Sequence, residues 1–308
     1  MMQAPFFSII IPTYNRAHLI ADALHSILKQ EITDWEVIVI DDASTDNTKA
    51  IVESFKEAKF QYFRNEKNLE RSISRNRGIE KSKGTYICFL DSDDYFLPNH
   101  LSSLQQTILA QQNPIAFYFV DILTKKNNVI EKRVKENINK YAHMLPFLLQ
   151  NFIVPAQVCI HANILKKHRF DENEKILVIE DIELWLRIAA EFPVVATNQY
   201  TAVEVYHDNN STARKNNVAI NQINGLDVIF SNATVSKFIP TNLKNEAYGH
   251  RYYLMAMYYQ YSGEKWSMIK SLVKSFFYHP THFDFKGKAV MLLYAIPGIK
   301  TLKQSISK

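Results

Sequence analysis

Glycine is scarce in this chain, and its distribution excludes two common nucleotide-binding loops. There are only 7 glycines among 308 residues, and the first of them is Gly78. The segment before Gly78 therefore holds neither the G-x-G-x-x-G loop of dinucleotide-binding proteins nor the G-x-x-x-x-G-K-[ST] phosphate loop. If the chain binds a nucleotide, some other group must neutralise its phosphates.

Cysteines and long apolar runs are also few. Cys88 and Cys159 stand in apolar segments and are too few for a disulfide framework, which favours a reducing compartment and predicts a cytoplasmic protein. The segment "MMQAPFFSIIIPTYN" has no basic residue before its apolar run, so we interpret it as a first strand and not as a signal peptide. No apolar stretch approaches the roughly 18 residues that a membrane-spanning helix needs.

Positive charge is concentrated at the end of the sequence. Residues 265–308 hold eight lysines and one aspartate, hence +7, which leaves −2 for the rest of a chain whose net charge is +5. A basic amphipathic helix in this tail suits an anionic membrane surface, and an ordinary helix docked on the main domain is an equally good interpretation. Nucleic-acid binding is disfavoured because the tail has no arginine and no recognisable binding module.

Strands and helices alternate along the first part of the chain, which predicts an α/β fold with a mostly parallel sheet flanked by helices. We expect a main domain over residues 1–222, with halves at 1–124 and 125–222, followed by a helical C-terminal region over 223–308. A further helix is predicted within 176–192, and a strand from 201. The predicted strands of the first half are 6–11, 35–40, 59–64, 85–90 and 115–123, and the predicted helices are 17–30, 44–58, 71–84 and 97–113.

Polar residues follow three of these strands, at positions 13–15, 41–42 and 91–94. In parallel sheets, ligands bind outside the carboxyl ends of the strands, so we expect the three segments to form one site. Asp42 or Ser44 is suitable to cap the helix that follows, and the alternative is that an acid accepts a hydrogen bond from a base or a ribose. Tyr14 either stacks on a base or packs at the strand end.

Three carboxylates, those of Asp91, Asp93 and Asp94, directly follow the strand 85–90. Carboxylates this close repel one another, so their crowding needs a compensating group. Capping of the next helix explains one acid. A Mg²⁺ or Mn²⁺ ion held between carboxylates and substrate phosphates explains all three, and the position after a buried strand favours this metal–diphosphate interpretation.

Two segments together, "SIIIPTYNRAHLIADALHSILKQEITDWEVIVIDDASTDNT" and "RSISRNRGIEKSKGTYICFLDSDD", resemble the nucleotide-binding half of the family-two, GT-A-fold glycosyltransferases. The resemblance is dense over residues 5–100 and continues more loosely through "IEDIELWLRI" to about His207. It implies a Rossmann-like GT-A sheet and inverting transfer of a sugar from a nucleotide sugar, usually a UDP-sugar, with Mn²⁺ or Mg²⁺. It also implies a bacterial setting, in surface polysaccharide or glycolipid synthesis.

The resemblance also implies roles for individual positions in donor binding. One departure from the family is "NLERSISRN", where Glu70 and Arg71 stand in place of the small residue or glycine that often precedes this helix. The implied donor-nucleotide residues are Pro12, Tyr14, Asp41, Asp42, Arg75, Asn76 and Asp91, and the implied metal ligands are Asp93, Asp94 and His207. For His207 the alternative is a hydrogen-bonded polar residue without a metal.

The acids Glu180 and Asp181 resemble the family's acidic pair, and Asp181 is the predicted catalytic base. An inverting displacement needs a carboxylate that takes the proton of the acceptor hydroxyl. The alternative is that Asp181 caps the helix that follows. Glu180, Trp185 and Arg187 are candidates for the acceptor site, although Trp185 also falls on the apolar face of the helix, where it would belong to the core.

The sequence therefore predicts a metal-dependent inverting glycosyltransferase that acts on a glycan or lipid-linked acceptor, cytoplasmic or peripheral on the inner face of the membrane. Two alternatives remain open. A nucleotidyltransferase would also place acids on a parallel sheet, but it typically has a glycine-rich basic loop near the N-terminus. A sugar-nucleotide-binding module without catalysis would need Asp42, Asp91 and Asp93 but not Asp181.

Overall fold

The computed structural model describes residues 4–112, 114–133, 135, 137–207 and 218–280. Within these residues the chain forms two compact units. The first unit comprises residues up to 173 together with 180–207, and the second comprises 174–179 together with 218–280. The domain boundaries at residues 124 and 222 stay predictions.

The first unit contains nine strands and seven α-helices among its described residues. The strands are β1 (Phe7–Thr13), β2 (Trp35–Asp41), β3 (Phe60–Arg64), β4 (Tyr86–Phe89), β5 (Tyr95–Phe96), β6 (Phe117–Lys126), β7 (Val129–Lys132), β8 (Val158–His161) and β9 (Val194–Tyr206). The helices are α1 (Ile20–Leu28), α2 (Thr48–Ser54), α3 (Glu70–Lys81), α4 (His100–Leu109), α5 (Met144–Asn151), α6 (Ala162–Lys167) and α7 (Glu180–Ala189).

All nine strands belong to one sheet, in the order β3-β2-β1-β4-β8-β6-β9-β5, with β7 paired to β6. The first four strands of this order are parallel, and so is the long pairing of β6 with β9. Strands β8, β5 and β7 pair antiparallel with their neighbours. The predicted α/β fold with a mostly parallel sheet is confirmed. Strands β1, β2 and β4 bring their carboxyl ends to one edge, as the sequence predicts.

Several predicted elements need correction. Helix α2 begins at Thr48 and not at residue 44, so neither Asp42 nor Ser44 caps it, and Asp46 instead accepts a hydrogen bond from the Thr48 amide at 3.0 Å. Strand β9 starts at Val194, earlier than expected, because it runs parallel to β6 along most of its length. The sequence does not predict strands β5 and β8 or helices α5 and α6. Each is short and carries no clear periodic pattern of apolar residues.

The sheet has a buried core on both of its faces. Helices α1 and α4 cover one face, and helices α3 and α7, which carry candidate site residues, pack on the other. Phe7, Ile9 and Ile11 of β1 are fully buried on the face covered by α1 and α4. On the opposite face, Ile10 meets α3 so closely that a Cβ added to Gly78 would lie 2.3 Å from its Cγ2 atom. Trp185 of α7 packs on the same face, with its ring centroid 6.1 Å from that of Phe89. Helices α3 and α7 are therefore held against one side of the sheet.

The second unit is helical in its described part. It contains α8 (Val218–Ser231), α9 (Ala233–Ser236), α10 (Thr241–Ser262) and α11 (Lys265–Tyr278), and a short 3₁₀ turn at Glu174–Ile176 packs beside α8. This confirms the predicted helical C-terminal region as far as Tyr278, and the predicted tail from residue 281 lies outside the described residues. None of the helices in the described ranges combines the length and the apolar character that a membrane crossing requires.

Candidate functional site

The loops that follow β1 and β2 are tied to each other by hydrogen bonds. The amide of Asn15 donates to the Ser44 Oγ atom at 2.8 Å, and the Thr45 amide donates to the Asn15 Oδ1 atom at 2.7 Å. Asn15 has a φ of 52°, in the left-handed region that asparagine tolerates better than most residues. The preceding Tyr14, directly after β1, is 43% exposed. Pro12 lies one step earlier on β1, in register with Ile40.

The two acids that follow β2 bind protein donors. Asp41 is fully buried; its carboxylate accepts hydrogen bonds from the Ser44 amide at 2.7 Å and from the Tyr62 hydroxyl. One oxygen of Asp42, Oδ1, accepts hydrogen bonds from the Asn65 side chain at 2.7 Å and from the Leu69 amide at 2.9 Å. Asp41 therefore fixes the turn after β2, whereas Asp42 anchors the approach to α3 through one of its two oxygens.

The three acids that follow β4 differ in their partners and their exposure. Asp91 is about one-third exposed and accepts a hydrogen bond from Arg75 at 2.8 Å. Asp93 lies 3.1 Å from the Nε2 atom of His207 and 3.9 Å from the Nε atom of Arg16. The three carboxylates thus meet different groups, and their mutual repulsion is offset mainly by cationic side chains at Asp91 and Asp93.

Asp94 is the most buried of these acids. Its Oδ1 atom accepts a hydrogen bond from the Val205 amide of β9 at 2.9 Å. Burial first, and then the charges of Asp91 and Asp93, raise the pKa of Asp94 well above its usual range. The hydrogen bond from Val205 joins the acidic loop to β9, and the predicted metal contact of Asp94 stays a prediction.

Arg75 joins the acids that follow β4 to the acids of α7. Its side chain is 2% exposed, with one terminal nitrogen 2.8 Å from Asp91 and the other 3.0 Å from Glu180. Burial opposes the charged form of Arg75, but Asp91 and Glu180 overcome this effect and raise its pKa. Arg71, one turn earlier on α3, approaches the same Glu180 oxygen at 3.6 Å. Arg75 is therefore a buried bridge between two carboxylates, and its predicted contact with the nucleotide stays a prediction.

Asn76 is likewise bound to protein groups. Its side-chain amide donates to the carbonyl oxygen of Phe170 at 2.9 Å and to Glu172 at 2.8 Å, and its oxygen accepts from the Phe170 amide at 2.9 Å. Because both ends of the side chain are bound to the segment before α7, Asn76 anchors that segment. Its predicted contact with the nucleotide stays a prediction.

Glu180 and Asp181 are neighbours in sequence but differ in environment. Glu180 is 2% exposed and forms ion pairs with Arg75 and Arg71, so its charge is balanced. Asp181 is half-buried, and its Oδ1 atom accepts a hydrogen bond from the Ile182 amide at 2.7 Å. Burial first, and then the charge of Glu180, raise the pKa of Asp181 to about 7, although Arg75 and Arg71 oppose this. A carboxylate with a pKa near neutrality suits proton abstraction at physiological pH.

The remaining acceptor-site candidates on α7 belong to the fold. Trp185 is 1% exposed, packs against Phe89, Phe117 and Phe170, and donates from its indole nitrogen to the Ile153 carbonyl at 2.9 Å. Its predicted acceptor contact is therefore corrected to core packing. Arg187 binds Glu183 on its own helix at 2.8 Å and the Arg169 carbonyl at 2.7 Å, which gives it a structural role as well.

Arg16 and Arg71 are site residues that sequence reasoning missed. Arg16 directly follows the polar end of β1, so the strand-end pattern could have included it. Arg71 stands out in the sequence only as a departure from the family. It lies one helical turn before Arg75, and this spacing could have predicted that both arginines approach the same acid, Glu180.

The residues around Asp93 fit a divalent cation bound together with phosphates. Across the described ranges, no cluster of three or more metal-binding side chains occurs. Asp93 and His207 nonetheless offer a carboxylate and an imidazole 3.1 Å apart. Mg²⁺ and Mn²⁺ are commonly held by one or two protein groups plus substrate phosphates, so a pair of this kind matches that mode of binding.

Comparisons with known proteins agree with this geometry. A family model described as "Glycosyl transferase family 2" matches residues 8–167. An "Uncharacterized glycosyltransferase" of Rickettsia bellii is 32% identical over 240 residues, 76% of this chain, and the match spans only 34% of that relative's length. The Escherichia coli protein named "UDP-Glc:alpha-D-GlcNAc-diphosphoundecaprenol beta-1,3-glucosyltransferase WfgD" is 31% identical over 193 residues, 62% of this chain and 72% of that protein.

A solved structure also has the same fold. It is the mannosyltransferase PcManGT of Pyrobaculum calidifontis, described in complex with GDP-Man and Mn²⁺. The TM-score is 0.59 with 15% sequence identity, and the match covers 98% of this chain and 84% of that one. At this identity the likeness concerns the fold alone.

Proposed function

Because the chain belongs to glycosyl transferase family 2, we propose that it is an inverting glycosyltransferase that moves a sugar from a nucleotide sugar, of the UDP-sugar class, to a hydroxyl group. The acceptor is a glycan or a lipid-linked glycan in bacterial surface polysaccharide synthesis. The E. coli relative supports both halves of this proposal, since its name states a UDP-glucose donor and a diphosphoundecaprenol-linked acceptor.

The observation that carries the proposal is the Arg75 bridge. It links Asp91, at the carboxyl end of β4, to Glu180, directly before Asp181 on α7, through contacts of 2.8 and 3.0 Å. A transferase needs a donor site and a base held in a fixed relation, because misplacement by about 1 Å can cost on the order of 100-fold in rate. A binding module without catalysis has no need of such a link.

In the proposed reaction, Asp181 takes the proton of the acceptor hydroxyl while that oxygen attacks the anomeric carbon from the face opposite the leaving nucleoside diphosphate. The pKa of about 7 allows Asp181 to be ionised at the start of the reaction and basic enough to accept the proton. Glu180 forms ion pairs with Arg75 and Arg71, and its charge raises the pKa of the neighbouring Asp181.

On the donor side, Tyr14 and Asp42 are proposed to contact the base, and Asp91 the ribose. Asp93 and His207 would hold Mn²⁺ or Mg²⁺, and the Mn²⁺ with which the Pyrobaculum neighbour is described supports this ion. A bound cation would supply positive charge to the diphosphate as it leaves. Arg16, which lies 3.9 Å from Asp93, adds a second positive group near the same phosphates.

We further propose that the protein works in the cytoplasm, peripheral to the inner face of the membrane, where a lipid-linked acceptor would be found. No nucleic-acid partner is proposed.

A donor screen tests the proposal. UDP-, GDP- and dTDP-sugars, each with and without Mn²⁺, are tested for thermal stabilisation, since a ligand that binds the native state raises the apparent melting temperature. We expect the largest rise with a UDP-sugar plus Mn²⁺. The stabilising donor is then incubated with polyprenyl-diphosphate-linked sugars, and UDP release and the anomeric configuration of the product are measured.

Each alternative has its own outcome. Transfer with inverted anomeric configuration supports the proposal. Release of pyrophosphate from a nucleoside triphosphate and a sugar phosphate would instead identify a nucleotidyltransferase. Donor binding with no turnover for any acceptor would favour a binding module.

A further inference from the structure

Helix α11 has one side packed against α10. Met268 and Leu272 of α11 form a small buried cluster with Tyr253 and Ala256 of α10. Ser275 lies on the same side of α11, is fully buried, and donates from its hydroxyl to the Gly249 carbonyl at 2.6 Å. This side of α11 is therefore packed within the second unit, and the predicted docking of the tail on the main domain stays a prediction.

The opposite side of α11 exposes large apolar side chains. Trp266 is 76% exposed, Val273 is 57% exposed and Phe277 is 81% exposed. Their spacing of seven and then four residues puts them on one stripe, because an α-helix has 3.6 residues per turn. The buried Met268 and Leu272 lie roughly half a turn away from this stripe. A helix with a second apolar stripe facing solvent indicates an interaction surface.

The exposed stripe has positive charge beside it and no acidic residue on its own helix. Lys265, Lys270 and Lys274 are exposed, and the sequence of α11, KWSMIKSLVKSFFY, contains neither aspartate nor glutamate. Lys270 and Lys274 also stand at an open groove of about 270 Å³ between α8, α10 and α11. Apolar side chains contribute much of the groove's lining, namely those of Ile220, Ile223, Tyr252, Met255 and Tyr259.

We propose that the stripe of Trp266, Val273 and Phe277, together with Lys265, Lys270 and Lys274, docks on an anionic phospholipid bilayer. Tryptophan and phenylalanine enter the boundary between head groups and acyl chains, and lysines attract anionic lipids. The positive charge of the lysines favours an anionic bilayer over a second copy of the chain. A second copy of the chain would bring the same lysines face to face, whereas an anionic surface complements every charge on the helix.

This inference extends the proposed lipid-linked acceptor, but it is measured without any substrate. Failure of vesicle binding would leave sugar transfer untouched, and failure of sugar transfer would leave vesicle binding untouched.

Vesicle flotation of the full chain tests the proposal. Vesicles of pure phosphatidylcholine are compared with vesicles that contain phosphatidylglycerol, at low and at high salt. We expect binding to the anionic vesicles and its loss at high salt, because surface electrostatics are screened. The double variant Trp266→Ser/Phe277→Ser and the double variant Lys270→Glu/Lys274→Glu should each bind at least about tenfold more weakly.

Matched controls change similar residues elsewhere. Leu109→Ser removes an apolar side chain that is 70% exposed on α4, and Lys29→Glu/Lys56→Glu reverses two exposed charges in the first unit. Both controls should bind as the unchanged protein does. Circular dichroism and melting temperature verify that every variant is folded.

Three results would overturn the proposal. The first is binding of the stripe variants equal to that of the unchanged protein, which would assign any affinity to residues 281–308. The second is equal binding to neutral and anionic vesicles. The third is a dimer in light scattering that the Trp266→Ser/Phe277→Ser change converts to a monomer, which would make the stripe an interface between copies.

Discussion

The acids that follow β4 and the acids that open α7 form two clusters of similar composition and different electrostatics. In each cluster, one carboxylate is held by Arg75, namely Asp91 in the first and Glu180 in the second. The second member differs. Asp93 lies near the cationic or polar groups of Arg16 and His207, whereas Asp181 is half-buried with a pKa raised to about 7.

This difference separates two kinds of chemistry. A carboxylate with an imidazole beside it, as at Asp93 and His207, suits a divalent cation bound together with phosphates. A carboxylate raised in pKa by burial and a neighbouring acid suits proton transfer. Arg75 contributes to both clusters, because it pairs with Asp91 in the first and with Glu180 in the second, which leaves Asp93 for the proposed cation and Asp181 for the proposed proton transfer.

The largest expected effect comes from the second cluster. Asp181→Asn should lower kcat by about 10²–10⁴-fold, since it removes the proposed general base, while the affinity for the donor nucleotide stays within about twofold. Transfer rates and calorimetric titration with UDP measure the two quantities. The neighbouring Glu180→Gln is the matched control and should reduce stability more than Asp181→Asn does, because it leaves Arg75 with one carboxylate fewer. Loss of donor binding in Asp181→Asn would place Asp181 in the donor site instead.

In the first cluster, substitutions should weaken the binding of the donor nucleotide. Asp93→Asn and His207→Gln should each weaken Mn²⁺-dependent UDP binding by about 10–100-fold, because each removes one of the two protein groups available to the ion. Calorimetric titration of UDP with Mn²⁺ and with a chelator measures this change. Glu53→Gln, at a residue on the exposed surface of α2, serves as the control. UDP binding that is equally strong with the chelator would contradict a metal at this site.

Much of this arrangement is readable from the sequence, because strand ends are marked locally. The apolar runs predicted as strands 6–11, 35–40 and 85–90 locate the parallel strands β1, β2 and β4, and therefore the edge of the sheet that carries the candidate site. The short strands β5 and β8 were not predictable in the same way. Their pairing with β9 and β4 is set by partners more than 70 residues away in sequence, and four residues or fewer carry little periodic signal.

The roles of individual side chains were harder to predict than the position of the site. Arg75, Asn76 and Trp185 stand in the expected motifs, but their burial and their partners lie on other elements. A motif gives the residue type and its spacing, whereas the distance of 3.0 Å from Arg75 to Glu180 depends on how α3 and α7 pack on the sheet. Only the three-dimensional structure distinguishes a ligand contact from a buried bridge.

The effect of Arg71 on the pKa of Asp181 can be tested by the pH dependence of transfer. In the unchanged protein, kcat/KM should rise with pH below about 7 and level off above it, because Asp181 must lose its proton to act as a base. Arg71→Gln removes a positive charge that lowers the pKa of Asp181, so the inflection should move to higher pH, with activity at pH 6 lower by about threefold or more. Arg71→Lys keeps the charge and should keep the profile.

A pH profile of kcat/KM for the three proteins decides this point. An unchanged inflection in Arg71→Gln, combined with a uniform loss of rate, would mean that Arg71 acts only through the stability of α3.

Arg75→Lys should retain the inflection near pH 7 but lower the rate by about tenfold, since a lysine cannot span Asp91 and Glu180 with two separate nitrogens.

The smallest expected effect concerns the start of α3, the helix that presents both arginines to the clusters. Glu70 has a φ of 68°, in the left-handed region that costs a residue with a Cβ atom about 1 kcal/mol. Glu70→Gly should therefore raise the free energy of unfolding by up to about 1 kcal/mol, measured by denaturant titration. Glu80→Gly, at an exposed position in the last turn of the same helix, relieves no left-handed φ and should not raise the free energy of unfolding. If both changes destabilise the protein equally, backbone strain at Glu70 is not the reason that the family often has glycine here.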